Sequence, residues 1–456
     1  MEQVEFARQL PVRHEVDVLV VGGGPAGIAA MLAATAQGAS VFLAEGHSCF
    51  GGMGTAALVP AFMQFGDGEH FLAGGVGQRI YDLMWERGAH GPDDGPGRSR
   101  WGSLAIRPEA LKRIYDDLVV ASGAQFALHT NLVGVETEGR RVRHVVCWGK
   151  SGLFAIRARV YVDATGDGDL AAWAGAAFEQ GDAEGALMPG TLCSLWADID
   201  WDAVRADGRY AQNVVPQAIA DGVLEVDDPH LPGMWRLGAH LGGGNIGHTF
   251  GVDATDERSL TAALLYGRRL LGQYERFYKG YLSGYERMDL VATGSLLGVR
   301  ETRRITGDYV LCLDDFRRRA VFDDEIGRYS YPVDVHASKP SAGNFAHMWE
   351  EFHTLRYQRG ESYGIPYRCL LPRDLDNVLV AGRCLSADRF LQGSVRVMPG
   401  CFITGQAAGA AAALAVSLGA DPRGIPIADL HARLKALGAW LPNAGSCHGA
   451  ARCRPW

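Results

Sequence analysis

The stretch Val16-Asp17-Val18-Leu19-Val20-Val21-Gly22-Gly23-Gly24-Pro25-Ala26-Gly27 decides the fold of this 456-residue chain. After Asp17 it is an uncharged, β-branched run, which reads as a strand buried on both faces. It breaks into Gly22-x-Gly24-x-x-Gly27, and an Ala-rich helical pattern follows to about Gln37. Gly22 permits a tight turn, Gly24 lets backbone N–H groups approach a pyrophosphate, and Gly27 lets helix and strand pack closely. Gly38 reads as the helix stop. Ser40–Ala44 is a second buried strand, ending at Glu45, where a carboxylate would accept hydrogen bonds from a ribose 2′-OH. The pattern strand, glycine turn, helix, strand and acid points to a dinucleotide site.

Hydrophobic residues make up 47% of the chain and charged residues 21%, as in ordinary globular proteins. The length allows about two or three domains. A net charge of −8 argues against a general nucleic-acid surface. The first residues lack a basic segment followed by an apolar one, so no signal peptide is expected. No run of about 18 uninterrupted apolar residues occurs, so no membrane span is expected, and Ala407–Leu418 reads as a packed core helix. The nine cysteines are odd in number and form no CxxC pair. Cys447 and Cys453 could pair, but a reduced, cytoplasmic protein is the expected setting.

The turn Gly46–Thr55 is glycine-dense and suits close passage beside a flat cofactor. Gly91–Gly97 reads as an exposed loop, and Arg107-Pro108-Glu109 opens an amphipathic helix to about Ser122. Gln125–Leu128, Leu132–Thr137, Val142–Trp148 and Leu153–Tyr161 alternate, which predicts a small antiparallel sheet inserted into the parallel one. Its last strand leads to a small-residue turn, Val162-Asp163-Ala164-Thr165-Gly166-Asp167-Gly168-Asp169, with a helical stretch behind it. From about Met188 to Tyr363 aromatics and arginines increase, as in a substrate domain. Gly242-Gly243-Gly244-Asn245-Ile246-Gly247 repeats the glycine spacing without a preceding buried strand, and reads as a loop; the next helix pattern begins near Asp256 and runs through Leu271. Buried α/β character returns at Asn377–Arg383 and in a helix from about Cys401 to Leu418.

In order and spacing, several blocks together resemble a family of FAD-dependent oxidoreductases, distantly related to the fumarate reductase and succinate dehydrogenase flavoproteins. They are VVGGGPAGIAA at 20–30, FGGMGT at 50–55, VDATGDGDLAAWAG at 162–175 and LGVRETRRITGDYVL at 297–311. YGIPYRCLLP at 363–372, NVLVAGRCLSA at 377–387 and GSVRVMPGCFITGQAAGAAAAL at 393–414 complete the match. The resemblance implies an α/β fold: a doubly wound, Rossmann-type FAD-binding domain of the glutathione reductase type, discontinuous in sequence, with a second α+β substrate domain. The expected division is 1–60, 105–187 and 365–435 for the first domain, 61–104 and 188–364 for the second, and 436–456 for a C-terminal tail.

FAD is the cofactor the resemblance implies. Gly22, Gly24, Pro25, Ala26 and Gly27 would hold its pyrophosphate and Glu45 its ribose. Gly51, Gly52, Met53, Gly54 and Thr55 would run beside the isoalloxazine, and Val133 would meet the adenine through its backbone. Ala164, Thr165, Gly166, Gly382, Arg383 and Val395 would complete the groove. The helix after Pro399 would aim its positive end at the flavin edge that gains charge on reduction. The family pattern has an apolar or aromatic residue where Cys49 stands; Cys49 or His47 could tether the flavin, the alternative being groups packed in the loop.

The implied activity is that of a dehydrogenase or oxidase, moving a hydride between flavin N5 and a small or medium organic substrate with oxygen or nitrogen substituents. The substrate, the reaction direction and the electron acceptor (oxygen or another carrier) are not fixed by these motifs, and a homo-oligomer stays open. No nucleic-acid or membrane partner is expected. Candidate catalytic groups are His336, at the end of the alternating run Tyr331–His336, with Arg300, Arg396 and Tyr331; His248 is a weaker one. On a helix Arg300 would share a face with Arg303 or Arg304, and Glu301 would pair with one of them. Arg396 is read as following a strand end. No metal-ligand spacing appears, so no metal is expected. Two rivals share the groove: an NAD(P)H-dependent flavin monooxygenase, and a flavin-dependent tRNA-modifying protein, which would need a basic face.

Overall fold

The computed structural model describes residues 4–95, 97, 101–352 and 354–445. Part of the Gly91–Gly97 loop, and Cys447 and Cys453, lie outside them. The main sheet has seven strands. Six run in the spatial order Gln125–Ala127, Val41–Ala44, Val12–Val21, Gly152–Asp163, Arg141–Gly149, Asn131–Glu138, and Val378–Val380 pairs with the far end of Gly152–Asp163. The first strand pairs in parallel with both neighbours, with Val18 opposite Val41 on one side and Val160 on the other. Val18 and Val20 enter one core, Leu19 and Val21 the other, as a two-residue period requires of a strand covered on both faces.

Strand Gly152–Asp163 joins the two kinds of sheet. Its first half receives the antiparallel hairpin, Val145 opposite Ile156, and its last residues receive Val378–Val380 in parallel, Val378 opposite Tyr161. Two expectations change here. Gln125–Ala127 is the parallel edge strand beside Val41–Ala44, not part of the antiparallel unit. The antiparallel unit is continuous with the main sheet, because one strand serves both.

Helix Pro25–Ala36 and helix Met398–Leu418 cross on one face of the sheet, both almost wholly buried. Beside them Pro108–Ser122 buries Leu111, Ile114, Tyr115 and Val119 at helical spacing. The Met398–Leu418 helix begins three residues earlier than the sequence pattern indicates. It is long and apolar enough to cross a membrane, but 83% of its most apolar window is buried inside the protein, as expected of a core helix.

A second, antiparallel sheet is ordered Gly233–Arg236, Gly242–Asn245, Ser194–Ala197, Asp289–Thr293. With helix Glu257–Tyr281 it encloses a core around Trp196, Ile199, Phe277 and Tyr278. The Gly242–Gly244 segment is thus a strand and not a loop. Side chains there would collide: a Cβ on Gly242 would lie 2.5 Å from Ile199, and one on Gly243 would lie 2.7 Å from Pro60. Three further readings are corrected. Residues 299–302 are irregular and 303–305 form a strand, so Arg300 and Arg304 share no helix face. Tyr331–His336 is extended but unpaired. Arg396 closes the short helix Arg389–Val395 and follows no strand.

Candidate cofactor groove and substrate cavity

A groove of about 310 Å³ runs along the carboxyl ends of the parallel strands. Its wall includes Gly22, Gly24, Pro25, Ala26 and Glu45 from the first βαβ unit, Ala164, Thr165 and Gly166 from the third parallel strand, and Gly382 and Arg383 from the last. The glycines have separable reasons. Gly22 has φ +96°, and a Cβ there would lie 2.4 Å from the Ala164 carbonyl oxygen. A Cβ on Gly27 would meet the Gly22 oxygen at 1.7 Å, so this glycine sets the helix–strand approach. Gly24 has nothing within 4 Å of that position, and its bare face opens toward the groove. Gly24 caps helix Pro25–Ala36 without a side-chain hydrogen bond, and no acid stands in the first turn. This is the cradle a diphosphate needs.

The second glycine turn is joined to the first. Gly51 N–H donates to the Gly23 carbonyl (2.8 Å), and a Cβ on Gly52 would lie 3.2 Å from Gly24 Cα. Gly52 and Met53 face the groove. Gly51 and Gly54 stand behind it: side chains there would strike Tyr115 at 2.4 Å and Met398 at 3.1 Å. Thr55 is fully buried and its hydroxyl donates to the Phe50 carbonyl. These three shape the turn and do not line the groove.

Glu45 is buried, accepting from Gly23 N–H at 2.5 Å and from His47 N–H at 2.7 Å. Its carboxylate therefore holds the two turns together as well as facing the groove. Val133 is 48% exposed beside a bulge between Leu132 and Gly134, and its neighbours Thr130, Asn131 and Leu132 line the wall. Val395 is fully buried in its short helix and reaches neither groove nor cavity. His47 lines the groove; Cys49 does not, its sulfur lying 3.9 Å from Thr55 Oγ1, and burial pushes its thiol pKa up.

Arg383 donates to Gly166 O (3.0 Å), Val299 O (3.2 Å) and Asp167 Oδ1 (2.6 Å), bracing the third wall. Asp163, fully buried below that turn, accepts from Thr165 N–H and hydroxyl and from Ala171 N–H. Burial outweighs these bonds and lifts its pKa to about 6.

A second cavity, of about 290 Å³, opens from the groove. Met53, Val299, Arg383, Arg396 and Met398 line both, so the groove and the cavity share a wall. Arg300, Arg396, Tyr331 and His336 all line this cavity, as the sequence suggested. Arg300 is held by Pro189 O (2.8 Å) and Thr191 Oγ1 (2.9 Å), and burial and the nearby Arg396 draw its pKa down to about 10. Arg396 donates to Asp334 Oδ2 (3.0 Å), while its buried Nε has no protein acceptor. Arg303 and Arg304 turn away: Arg303 pairs with Asp169 and Arg304 with Glu301, as expected for one of the two.

Sequence reasoning missed His230, Asp228 and Asp334, and undervalued His248. His336 Nδ1 lies 3.2 Å from His248 Nε2, and its Nε2 lies 3.3 Å from Asp334 Oδ1. His248 Nδ1 lies 2.8 Å from Asp228 Oδ2. The His230 ring stacks on His248 at 5.2 Å and meets His336 edge-on at 5.0 Å. Burial, reinforced by Arg300, holds the pKa of His248 and His336 below the ordinary value; burial and His248 bring His230 to about 4. Burial would raise Asp334, but His336, Arg396 and Arg300 keep it well below the carboxylate range. Only the eventual adjacency of distant segments would have revealed this cluster.

A comparison with curated proteins found no match. Among solved structures, p-nitrophenol 4-monooxygenase PnpA from Pseudomonas putida DLL-E4 aligns with a TM-score of 0.48 at 12% identity, over 93% of this chain and 86% of that one. A geranylgeranyl bacteriochlorophyll reductase-like protein from Thermoplasma acidophilum aligns with a TM-score of 0.47 at 12% identity, over 93% and 84%. A family model described as FAD dependent oxidoreductase matches residues 17–434. With a diphosphate cradle, a buried acid at the second strand end and that match across most of its length, the chain belongs to the FAD-dependent oxidoreductase family and is a flavoenzyme.

Proposed function

We propose that the protein is a dehydrogenase or oxidase in which a hydride passes between FAD and a small organic substrate carrying a carboxylate or another oxygen-rich group. The observation that supports this most is the common wall: the cavity holding Arg300 and Arg396 shares five residues with the cofactor groove. When bound, FAD supplies the two-electron carrier. The protein supplies placement, charge and proton handling.

Burial and the neighbouring Arg396 both disfavour the charge on Arg300, an anion between the two guanidinium groups relieves this, and their planar forks suit paired oxygens. Arg396 Nε, buried without an acceptor, is a donor for such an oxygen. Met53, Val59 and Met63 give the substrate an apolar side. His230 and His336 close the far wall, with His248 buried behind them. Held neutral at rest by burial and by Arg300, they keep positive charge off this wall, and the O–H or N–H proton passes to a ring nitrogen, or to an anionic oxygen held beside the rings, only as hydride leaves. Such assistance is worth ~10²–10⁴-fold.

The test is anaerobic bleaching of the purified yellow protein by a panel of alcohols, amines, 2-hydroxy acids and enoates. Bleaching by a carboxylate-bearing compound, with NADPH alone leaving the flavin oxidised, is the expected result. Rapid bleaching by NADPH, with no compound in the panel acting as reductant, overturns the reading in favour of a monooxygenase-type cycle.

A further inference from the structure

We infer that His230, His248 and His336 form a site for one divalent transition-metal ion, with a coordination position open to the substrate cavity. One ligand nitrogen from each ring lies within 4.8 Å of the other two. His230 and His336 line the cavity, and His248 stands buried behind them.

The hydrogen-bonding of the outer ring nitrogens carries the argument. His248 gives its Nδ1 side to Asp228 at 2.8 Å, and His336 gives its Nε2 side to Asp334 at 3.3 Å. A neutral imidazole has one N–H. If each donates it to its carboxylate, the inner nitrogens, His248 Nε2 and His336 Nδ1, present lone pairs to one another at 3.2 Å. That contact is repulsive unless a positive centre lies between them. A metal ion satisfies both lone pairs and leaves each N–H on its carboxylate, the outer arrangement found around metal-bound histidines.

The distances agree. Two nitrogens, each ~2.0–2.1 Å from a tetrahedral ion, are separated by about 3.3 Å. The pair at 3.2 Å already meets this, and the third ring needs a shift of at most about 1.5 Å to close the 4.8 Å spacing. Arg300 and Arg396 disfavour added positive charge. Asp228 and Asp334 balance them, and an anionic oxygen at the open position would offset part of the charge of the ion. A purely imidazole set selects zinc, iron, cobalt or nickel over magnesium and calcium. Three protein ligands with one open position match catalytic rather than structural metal sites. Only the role of the ion rests on the proposed reaction; its binding does not.

The experiment uses the FAD-loaded protein, incubated with zinc sulfate, freed of loose metal by gel filtration, and assayed for zinc by elemental analysis and X-ray absorption. The expected result is about one zinc per chain with three nitrogen neighbours at ~2.0–2.1 Å. His248→Ala should lower the zinc content at least tenfold while the visible flavin spectrum persists, and Asp228→Asn should weaken zinc binding by ~10–100-fold. Less than a tenth of an equivalent in the wild-type protein overturns the proposal. So does a spectrum of oxygen or sulfur neighbours alone, or a zinc content unchanged in His230→Ala, His248→Ala and His336→Ala. The spectrum of the wild-type protein decides even if a variant fails to fold. Zinc uptake without substrate bleaching would leave this site standing and sink only the proposed reaction.

Discussion

Gly22 and Gly24, two residues apart, predict opposite kinds of damage. Alanine at Gly22 needs an unfavourable positive φ and a Cβ 2.4 Å from a carbonyl oxygen. We expect Gly22→Ala to destabilise the apoprotein by ~1–3 kcal/mol, read by chemical denaturation. At Gly24 the Cβ position is open. Gly24→Val should leave the apoprotein's melting temperature near wild type but weaken FAD retention at least tenfold, read by the ratio of visible to ultraviolet absorbance. Arg396→Ala removes one member of the partly buried pair with Asp334 and a donor facing the cavity. Losses of ~2–5 kcal/mol for such truncations correspond to a fall of ~30–5,000-fold in kcat/KM, with flavin retained. An unchanged kcat/KM would remove Arg396 from the site.

Asp163 gives a pH signature with a definite sign. Its folded pKa is about 6, above its ordinary value of 3.8. Between those values the folded protein keeps a proton that the unfolded chain has lost, so this group's contribution is complete below about pH 4 and declines as pH rises to about 6. Urea denaturation at several pH values in that window should give a flatter profile for Asp163→Asn than for wild type. Parallel profiles would contradict the assignment.

Among the elements, the crossing of helix Pro25–Ala36 with helix Met398–Leu418 is the tightest. A Cβ on Gly405 would lie 2.1 Å from the Ala26 carbonyl oxygen, and one on Gly409 would lie 2.0 Å from that of Ala30. Alanine in a helix interior is ordinarily favoured over glycine by ~1 kcal/mol. Here the overlap reverses the sign. Gly405→Ala should cost at least ~1–3 kcal/mol in thermal or chemical denaturation and lower flavin content, because Ala26 lines the groove. Elements such as these were legible in the sequence: Val16–Gly27, the helix from Pro108 and the strand at Val378 each announce themselves through local periodicity. Gly242–Gly244 misled, because glycine carries no strand preference of its own and is required there only by neighbours on other segments. Tyr331–His336 misled the other way, alternating like a strand without a partner to pair with.

For the molecule as a whole, the groove draws its walls from segments near residues 22–53, 164–167 and 381–401. The motifs located each segment, but nothing local indicated that His230, His248 and His336, lying 18 and 88 residues apart in succession, would share one wall. A ligand spanning walls so far apart along the chain should couple strongly to global stability. Removing FAD should lower the melting temperature by several degrees, and restoring it at 1,000 times its Kd should return ~4 kcal/mol of apparent stability. A melting temperature indifferent to FAD would mean that the groove holds nothing across its walls.

The dependence of the phosphate-binding helix Pro25–Ala36 on a partner helix encoded far downstream of it also orders events during synthesis. A nascent chain can finish its glycine turn within the first few dozen residues, yet the surface against which that turn's helix rests is encoded only at Met398–Leu418. Coenzyme capture must therefore wait until Met398–Leu418 has been synthesised. A message truncated just before this helix should yield a colourless product, even though every residue of the opening fingerprint is present.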